Sequence, residues 1–135
     1  MYHYQAFILN SFLKYNWPSF IWAIIILYLC LVPSGSLPKI NIPHLDKMVH
    51  FTFYFVLVIL MNFGWGKQSS FPALHRNALL LIFIIACTYG FAIEIMQEVF
   101  TTTRHFELLD EVANATGSGI GSLLVAKLFK GFSVK

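Results

Sequence analysis

NALLLIFIIACTYGFAI, residues 77–93, runs without a charged side chain and is followed at once by EIMQ, residues 94–97. At 1.5 Å per residue a helix over 77–97 covers roughly 30 Å, the thickness of the hydrocarbon core of a bilayer. Glu94 and Gln97 therefore close a segment that is otherwise built for lipid. A carboxylate in that setting costs about 2–3 kcal/mol unless it finds a partner or water, and the cost falls towards the interface. This one stretch sets two expectations: a helical membrane fold, and a polar site where the helix ends.

The rest of the chain repeats the pattern. Further apolar runs predict spans over about 17–32, 48–65 and 111–129, separated by Pro33–Pro43, by Gly66–Pro72 and by the polar stretch holding Arg104, His105, Glu107 and Asp110. The expected fold is an all-α integral membrane protein, a bundle of about four transmembrane helices. With 58% apolar and only 11% charged residues, the chain lacks the polar surface of a soluble domain, which carries about 25% charged residues. The mean hydropathy of +0.70 agrees. One domain, 17–130, uses up the 135 residues, preceded by an N-terminal segment 1–16. Phe7, Ile8, Phe12 and Tyr15 are near helical spacing there, which suits a short interfacial helix, with a loose tail as the alternative. A signal peptide is the competing reading of the first run; Trp17, Trp22 and Tyr28 favour the aromatic belt of a retained span.

Cys30 and Cys87 lie inside apolar runs with no C-x-x-C spacing and read as small hydrophobes. The net charge of +3 is spread out and is a topology signal, so no nucleic-acid partner is expected. With four spans, six Lys and Arg (Lys14, Lys67, Arg76, Lys127, Lys130, Lys135) fall on one side and three (Lys39, Lys47, Arg104) on the other. The excess predicts a multi-pass protein of the cell membrane with both termini in the cytoplasm.

That topology brings the unusual residues to one depth. Asp46, Lys47 and His50 open the second helix, with Asp46, His50 and Tyr54 at i, i+4, i+8 on one face. Gly90, Glu94 and Gln97 share a face of the third helix. Asp110, Asn114, Gly117 and Gly121 form a stripe on the fourth, and the G-x-x-x-G pair is expected to let the third and fourth helices approach closely. Each residue also has a plain structural role. Asp46 and Asp110 suit helix N-terminal dipoles, Arg104 suits a lipid phosphate, and His50 suits one interhelical bond. Gathered at the ends of three helices, they exceed what packing requires.

Pro33 and Leu37-Pro38, Asp46-Lys47-x-x-His50-Phe51-x-x-Tyr54, Tyr89-Gly90-x-x-x-Glu94-x-x-Gln97, then Arg104, Glu107, Asp110, Asn114, Gly117 and Gly121 form an ordered set along most of the chain. In this set the sequence resembles the VanZ-like family of bacterial membrane proteins, named for a member associated with teicoplanin resistance. The resemblance implies a helix bundle in the cytoplasmic membrane and a link to glycopeptide tolerance or the envelope. It implies no settled activity.

Two classes of function fit these residues. In the first, an outward-facing site binds or processes an anionic lipid or lipid-linked envelope precursor. Lys47 and Arg104 would hold phosphate, Glu94 or Asp110 would act as general base or acid, and His50 would be the proton partner, supported by Asp46, Tyr54, Gln97 and Asn114. No nucleophile with an adjacent base is recognisable, which leaves turnover open. In the second class the protein binds envelope lipids or partner proteins without catalysis, alone or as an oligomer, and the cluster locks the bundle. A metal site on His50, Glu94 and Asp110, with His44 or His105, ranks last because no H-E-x-x-H or similar spacing supports it, so neither metal nor cofactor is expected. The polar residues stop near one face, which argues against a transporter.

The orientation is checked by labelling single cysteines in intact cells after replacing Cys30 and Cys87. Residues near Ser36 and Thr102 should be modified and residues near Ser69 protected; labelling at Ser69 would reverse the orientation.

Overall fold

The computed structural model describes residues 2–36, 42–68, 71 and 77–128. Leu37, Pro38, Lys39, Ser69, Pro72, Arg76, Phe129, Lys130 and Lys135, used above for topology, span limits or the family motif, lie outside the described residues, as do the side chains of Phe7 and Ile8. Four long helices make up the fold: α1 (Tyr2–Leu31), α2 (Leu45–Lys67), α3 (Ala78–Phe100) and α4 (Leu108–Leu128), with a 3-10 turn at Ser34–Ser36. Three of them contain stretches long and apolar enough to cross a membrane: Ser11–Leu31, Leu45–Lys67 and Ala78–Phe100. The fourth carries Asp110, Glu111 and Lys127 with several small polar residues and is not among them.

α1 starts well before the span expected at 17–32 and runs without a break from residue 2 through residue 16. Pro18 sits inside it and removes one backbone donor. Neighbouring polar side chains serve the backbone around it, as helices in lipid require. Asn16 Nδ2 donates to the Phe12 carbonyl at 2.9 Å, and Ser19 Oγ to the Asn16 carbonyl at 2.7 Å.

Consecutive helices run in opposite directions. Trp22 Nε1 donates to the Phe53 carbonyl at 2.9 Å, joining α1 to α2. Tyr89 Oη reaches the Ala23 carbonyl at 2.6 Å and Gln97 Nε2 the Cys30 carbonyl at 2.9 Å, joining α3 to α1. Ile26, Leu57, Val58, Ile82, Ala86 and Ile93 are buried between these helices.

The two small-residue stripes have different partners from those expected. Gly117 lies directly on the Phe51 carbonyl, and a Cβ at Gly121 would stand 2.6 Å from Val58 Cγ2 and 2.9 Å from the Phe55 carbonyl oxygen. The stripe of α4 therefore seats α2, not α3, and the two helices run parallel. Gly90 is the seat for α4 on α3: a Cβ there would stand 2.8 Å from Glu111 Oε2 and 2.9 Å from Asn114 Nδ2.

The distribution of polarity is inverted relative to a soluble protein. Asn16, His50, Asn62, Glu94, Asn114 and Ser118 are buried, whereas Ile24, Tyr28, Leu80, Phe100, Leu109 and Leu123 are among the exposed residues. Large contiguous apolar surface of this kind needs an apolar solvent or partner. Lipid supplies it.

Gly117→Leu should force α2 from α4, at a cost of about 1–3 kcal/mol by overpacking, read as a lower melting temperature in detergent. Gly119→Ala is the control, since its Cβ would meet only Phe83, at 3.7 Å. Wild-type melting of Gly117→Leu would overturn the α2–α4 seat.

Candidate functional site

Parallel packing of α2 and α4 brings their N-terminal ends together, beside the C-terminal end of α3. Lys47 projects across this gap. Its ammonium lies 2.6 Å from Asp46 Oδ2, 2.7 Å from Glu107 Oε2 and 2.8 Å from Asp110 Oδ1. An ammonium has three donors, and each of these faces a carboxylate. Asp46 and Glu107 are on the open rim, while Asp110 is almost enclosed. Lys47 was expected to hold phosphate; in this arrangement its donors are engaged by acids.

One turn deeper, His50, Glu94, Asp110 and Asn114 converge. Asn114 Nδ2 donates to Glu111 Oε2 at 3.2 Å, which turns its carbonyl oxygen to His50 Nδ1, 3.1 Å away. Nδ1 then donates, and Nε2 keeps the free lone pair. Nε2 faces Asp110 Oδ2 at 4.0 Å, and Nδ1 stands 3.8 Å from Glu94 Oε1. Glu94 is 0% exposed. Its Oε2 accepts the Glu107 backbone N–H at 3.2 Å, pinning the α3–α4 loop onto the end of α3, but its Oε1 has no hydrogen-bond partner.

The remaining expected residues take other roles. Tyr54 is on the His50 face of α2, its hydroxyl buried without a partner and its ring 6.3 Å from that of Tyr89. Gln97 turns away to hold the last carbonyls of α1. Arg104 lies in the loop between Thr101 and Glu107. Its backbone N–H donates to Thr101 Oγ1 at 3.2 Å, and its Nε is buried without a partner. Among the described residues no carboxylate pairs with it. His105 pairs with Glu98 at the surface, 3.4 Å away, and stands outside the cluster.

Glu107 and Glu111 belong to the site; Glu107 was named from the sequence only as part of the motif set, with no role in the site, and Glu111 was not singled out. Glu107, Asp110, Glu111 and Asn114 follow i, i+3, i+4, i+7 spacing, so the helical signal was there. A separate cavity of ≈ 310 Å³ lies between α1, α2 and α3, lined by Asn16, Leu57, Met61, Ala86 and Tyr89 among others. It is almost wholly apolar.

The chain is similar to the uncharacterized protein C11E3.10 of Schizosaccharomyces pombe, 31% identical over 90 residues, which is 67% of this chain and 52% of the relative. The chain thus spans about half the length of the curated relative it matches. No family model matches the sequence. No solved structure matches it.

Lys47→Met strands Asp110 in a largely enclosed position. Removing one partner of a buried pair costs about 3–5 kcal/mol, and the open rim here reduces that to roughly 2 kcal/mol. Unfolding in detergent should show this loss for Lys47→Met and its partial recovery in Lys47→Met/Asp110→Asn. Additive losses in the double variant would show that the pair is not coupled.

Proposed function

We propose that the chain is a four-span, VanZ-like protein of the cell envelope membrane with both termini in the cytoplasm. Its site at the outer helix ends binds or processes an anionic lipid or lipid-linked precursor. The observation that carries this reading is the gathering of buried polar groups at one end of the bundle, beside a cation without a carboxylate, Arg104. Headgroups lie at the depth where these helices end. A guanidinium without an acid partner is suited to a phosphate, which it grips in a planar fork.

The fourth span is supported by geometry rather than hydropathy. α4 has 21 residues, Leu108–Leu128, and so extends roughly 30 Å. It lies alongside α2, and its polar and small residues face inwards while Leu109, Val112, Ile120, Leu123 and Leu128 face out. The link to glycopeptide tolerance is supported by the ordered motif set alone. The similar protein comes from a fission yeast, so the ligand class is given as phosphate-bearing lipids in general.

A non-catalytic reading has its own observation. Every donor of Lys47 is held by an acid, and no activated nucleophile stands at the cluster among the described residues. On that reading the same site holds a lipid or a partner protein, and the ion pairs lock the bundle.

The test compares glycopeptide sensitivity, membrane abundance and melting temperature for Glu94→Gln, Asp110→Asn and Arg104→Lys. It also measures binding to phosphatidic acid in phosphatidylcholine nanodiscs and to inorganic phosphate. The expected result is folded, abundant variants that lose the phenotype and lose phosphatidic acid binding by more than tenfold. Preference for phosphatidic acid over free phosphate identifies a lipid headgroup as the source. Full activity and binding in all three variants would sink the site.

A further inference from the structure

The geometry points to a divalent metal site, for an ion of the Mn²⁺ or Zn²⁺ class, held by His50, Glu94 and Asp110. One imidazole nitrogen and one oxygen of each acid lie within 4.8 Å of one another, and all three residues are buried. Metal–ligand bonds of about 2.0–2.2 Å place two atoms on a shared ion roughly 3–4.4 Å apart. The separation of His50 Nε2 from Asp110 Oδ2, 4.0 Å, is of that size, and Glu94 Oε1 closes on the same ring from its Nδ1 side at 3.8 Å. Both distances are too long for hydrogen bonds.

Each ligand is held by one atom and free at another. Asn114 fixes His50 through Nδ1 and leaves Nε2 bare. Lys47 takes Asp110 Oδ1 and leaves Oδ2 turned towards His50. The Glu107 N–H takes Glu94 Oε2 and leaves Oε1, fully buried, without any hydrogen-bond partner. Outer contacts of this kind orient and hold first ligands in metal sites. A polar atom enclosed without a partner, as Glu94 Oε1 is, costs about 1–3 kcal/mol; Asp110 Oδ2 faces Nε2 of the same ring, and Glu94 Oε1 faces its Nδ1 edge. A cation at their meeting point satisfies them together.

Charge leads to the same conclusion. Five carboxylates, Asp46, Glu94, Glu107, Asp110 and Glu111, belong to the cluster, and among the described residues Lys47 is the one ammonium paired with them. Added negative charge is the last thing the interior of this cluster favours, and positive charge is what it lacks. One nitrogen with two carboxylates suits borderline ions, with open positions left for water or a phosphate oxygen. The ligands come from three helices, so no local spacing motif could announce them. The role of the ion, to meet the phosphate that Arg104 binds, rests on the reading proposed above; the binding of the ion does not.

Full-length protein in detergent, stripped with EDTA, is titrated with Mn²⁺ alone and Zn²⁺ alone, followed by Mn²⁺ spin resonance and by metal analysis after gel filtration. Folded wild type should bind about one ion per chain and melt at a higher temperature with it. Binding should weaken on the order of 100-fold in Glu94→Gln and His50→Gln, and about 10–100-fold in Asn114→Ala, which removes the contact orienting the imidazole. Glu98→Gln, which keeps an acceptor for the Phe106 N–H and is not one of the three ligands, should bind as wild type. Circular dichroism identifies folded variants; if the ligand variants unfold, the wild-type titration decides alone. No stoichiometric binding of either metal by folded wild type overturns the site, and so does wild-type affinity in both ligand variants. Arg104-dependent phosphatidic acid binding by stripped protein that takes up no metal would remove this inference and leave the proposed function. Metal binding without lipid preference would do the opposite.

Discussion

The contact of Gly117 with the Phe51 carbonyl sets the register on which the polar end of the molecule depends. A helix pair without side chains between its backbones has little freedom to slide or rotate. With α4 seated there, and Gly121 four residues on against Val58 and Phe55, the first turns of α2 and α4 are forced level. Lys47 then has Asp110 within reach, and His50 has Asn114. Gly90 does the same for α3, allowing Glu111 and Asn114 to pass close to its backbone and bringing Glu94 to the imidazole from the third side. Three small residues thus position six polar ones.

Lipid makes this arrangement stable. The exposed surface is so rich in Ile, Leu, Phe and Trp that water would drive it to aggregate, and the buried faces hold groups that a soluble core seldom encloses. In a bilayer the hydrophobic effect no longer drives one helix onto another. Close packing and interhelical hydrogen bonds do so instead. Trp22, Tyr89 and Gln97 each donate to a backbone carbonyl of a neighbouring helix, and these bonds fasten α1 to the others. The long apolar α1 contributes no titratable group to the cluster. Beside the cluster, its Cys30 carbonyl holds Gln97 of α3.

The helices were legible because apolar runs of this length allow few other structures. The shared depth of Asp46, His50, Glu94, Asp110 and Asn114 was legible too, because helical spacing and alternating direction place them there. Side-chain aim was not. Gln97 sits three residues from Glu94, a rotation large enough for it to reach α1 while Glu94 faces α2. The partner of the Gly117–Gly121 stripe was misassigned to α3, since neighbours in sequence are the default neighbours in space and α2 is two helices away. The start of α1 was missed because the unbroken apolar run begins only at Trp17, so the weakly polar residues before it read as a separate interfacial helix or a tail. Glu107 precedes the first turn of α4, where spacing arguments carry least weight, yet it ties loop, Lys47 and Glu94 together.

Structural and functional readings of the cluster differ in what they ask of Glu94. A network that only holds helices together gains from satisfying each buried group, because an enclosed atom without a partner offsets what a neighbouring bond contributes. Lys47 fits that description, with an acid for every donor. Glu94 does not: half of its carboxylate is tied to the Glu107 N–H and half is enclosed with nothing to accept. Arg104 is the converse, a cation with a buried Nε and, among the described residues, no acid partner, although carboxylates are plentiful on the same helix ends. If stability were the only constraint, the two would be expected to neutralise one another, since ion pairs in such surroundings form wherever geometry allows. That they stand apart, one group lacking a cation and the other lacking an anion, is what the proposed binding site explains and a purely structural network does not.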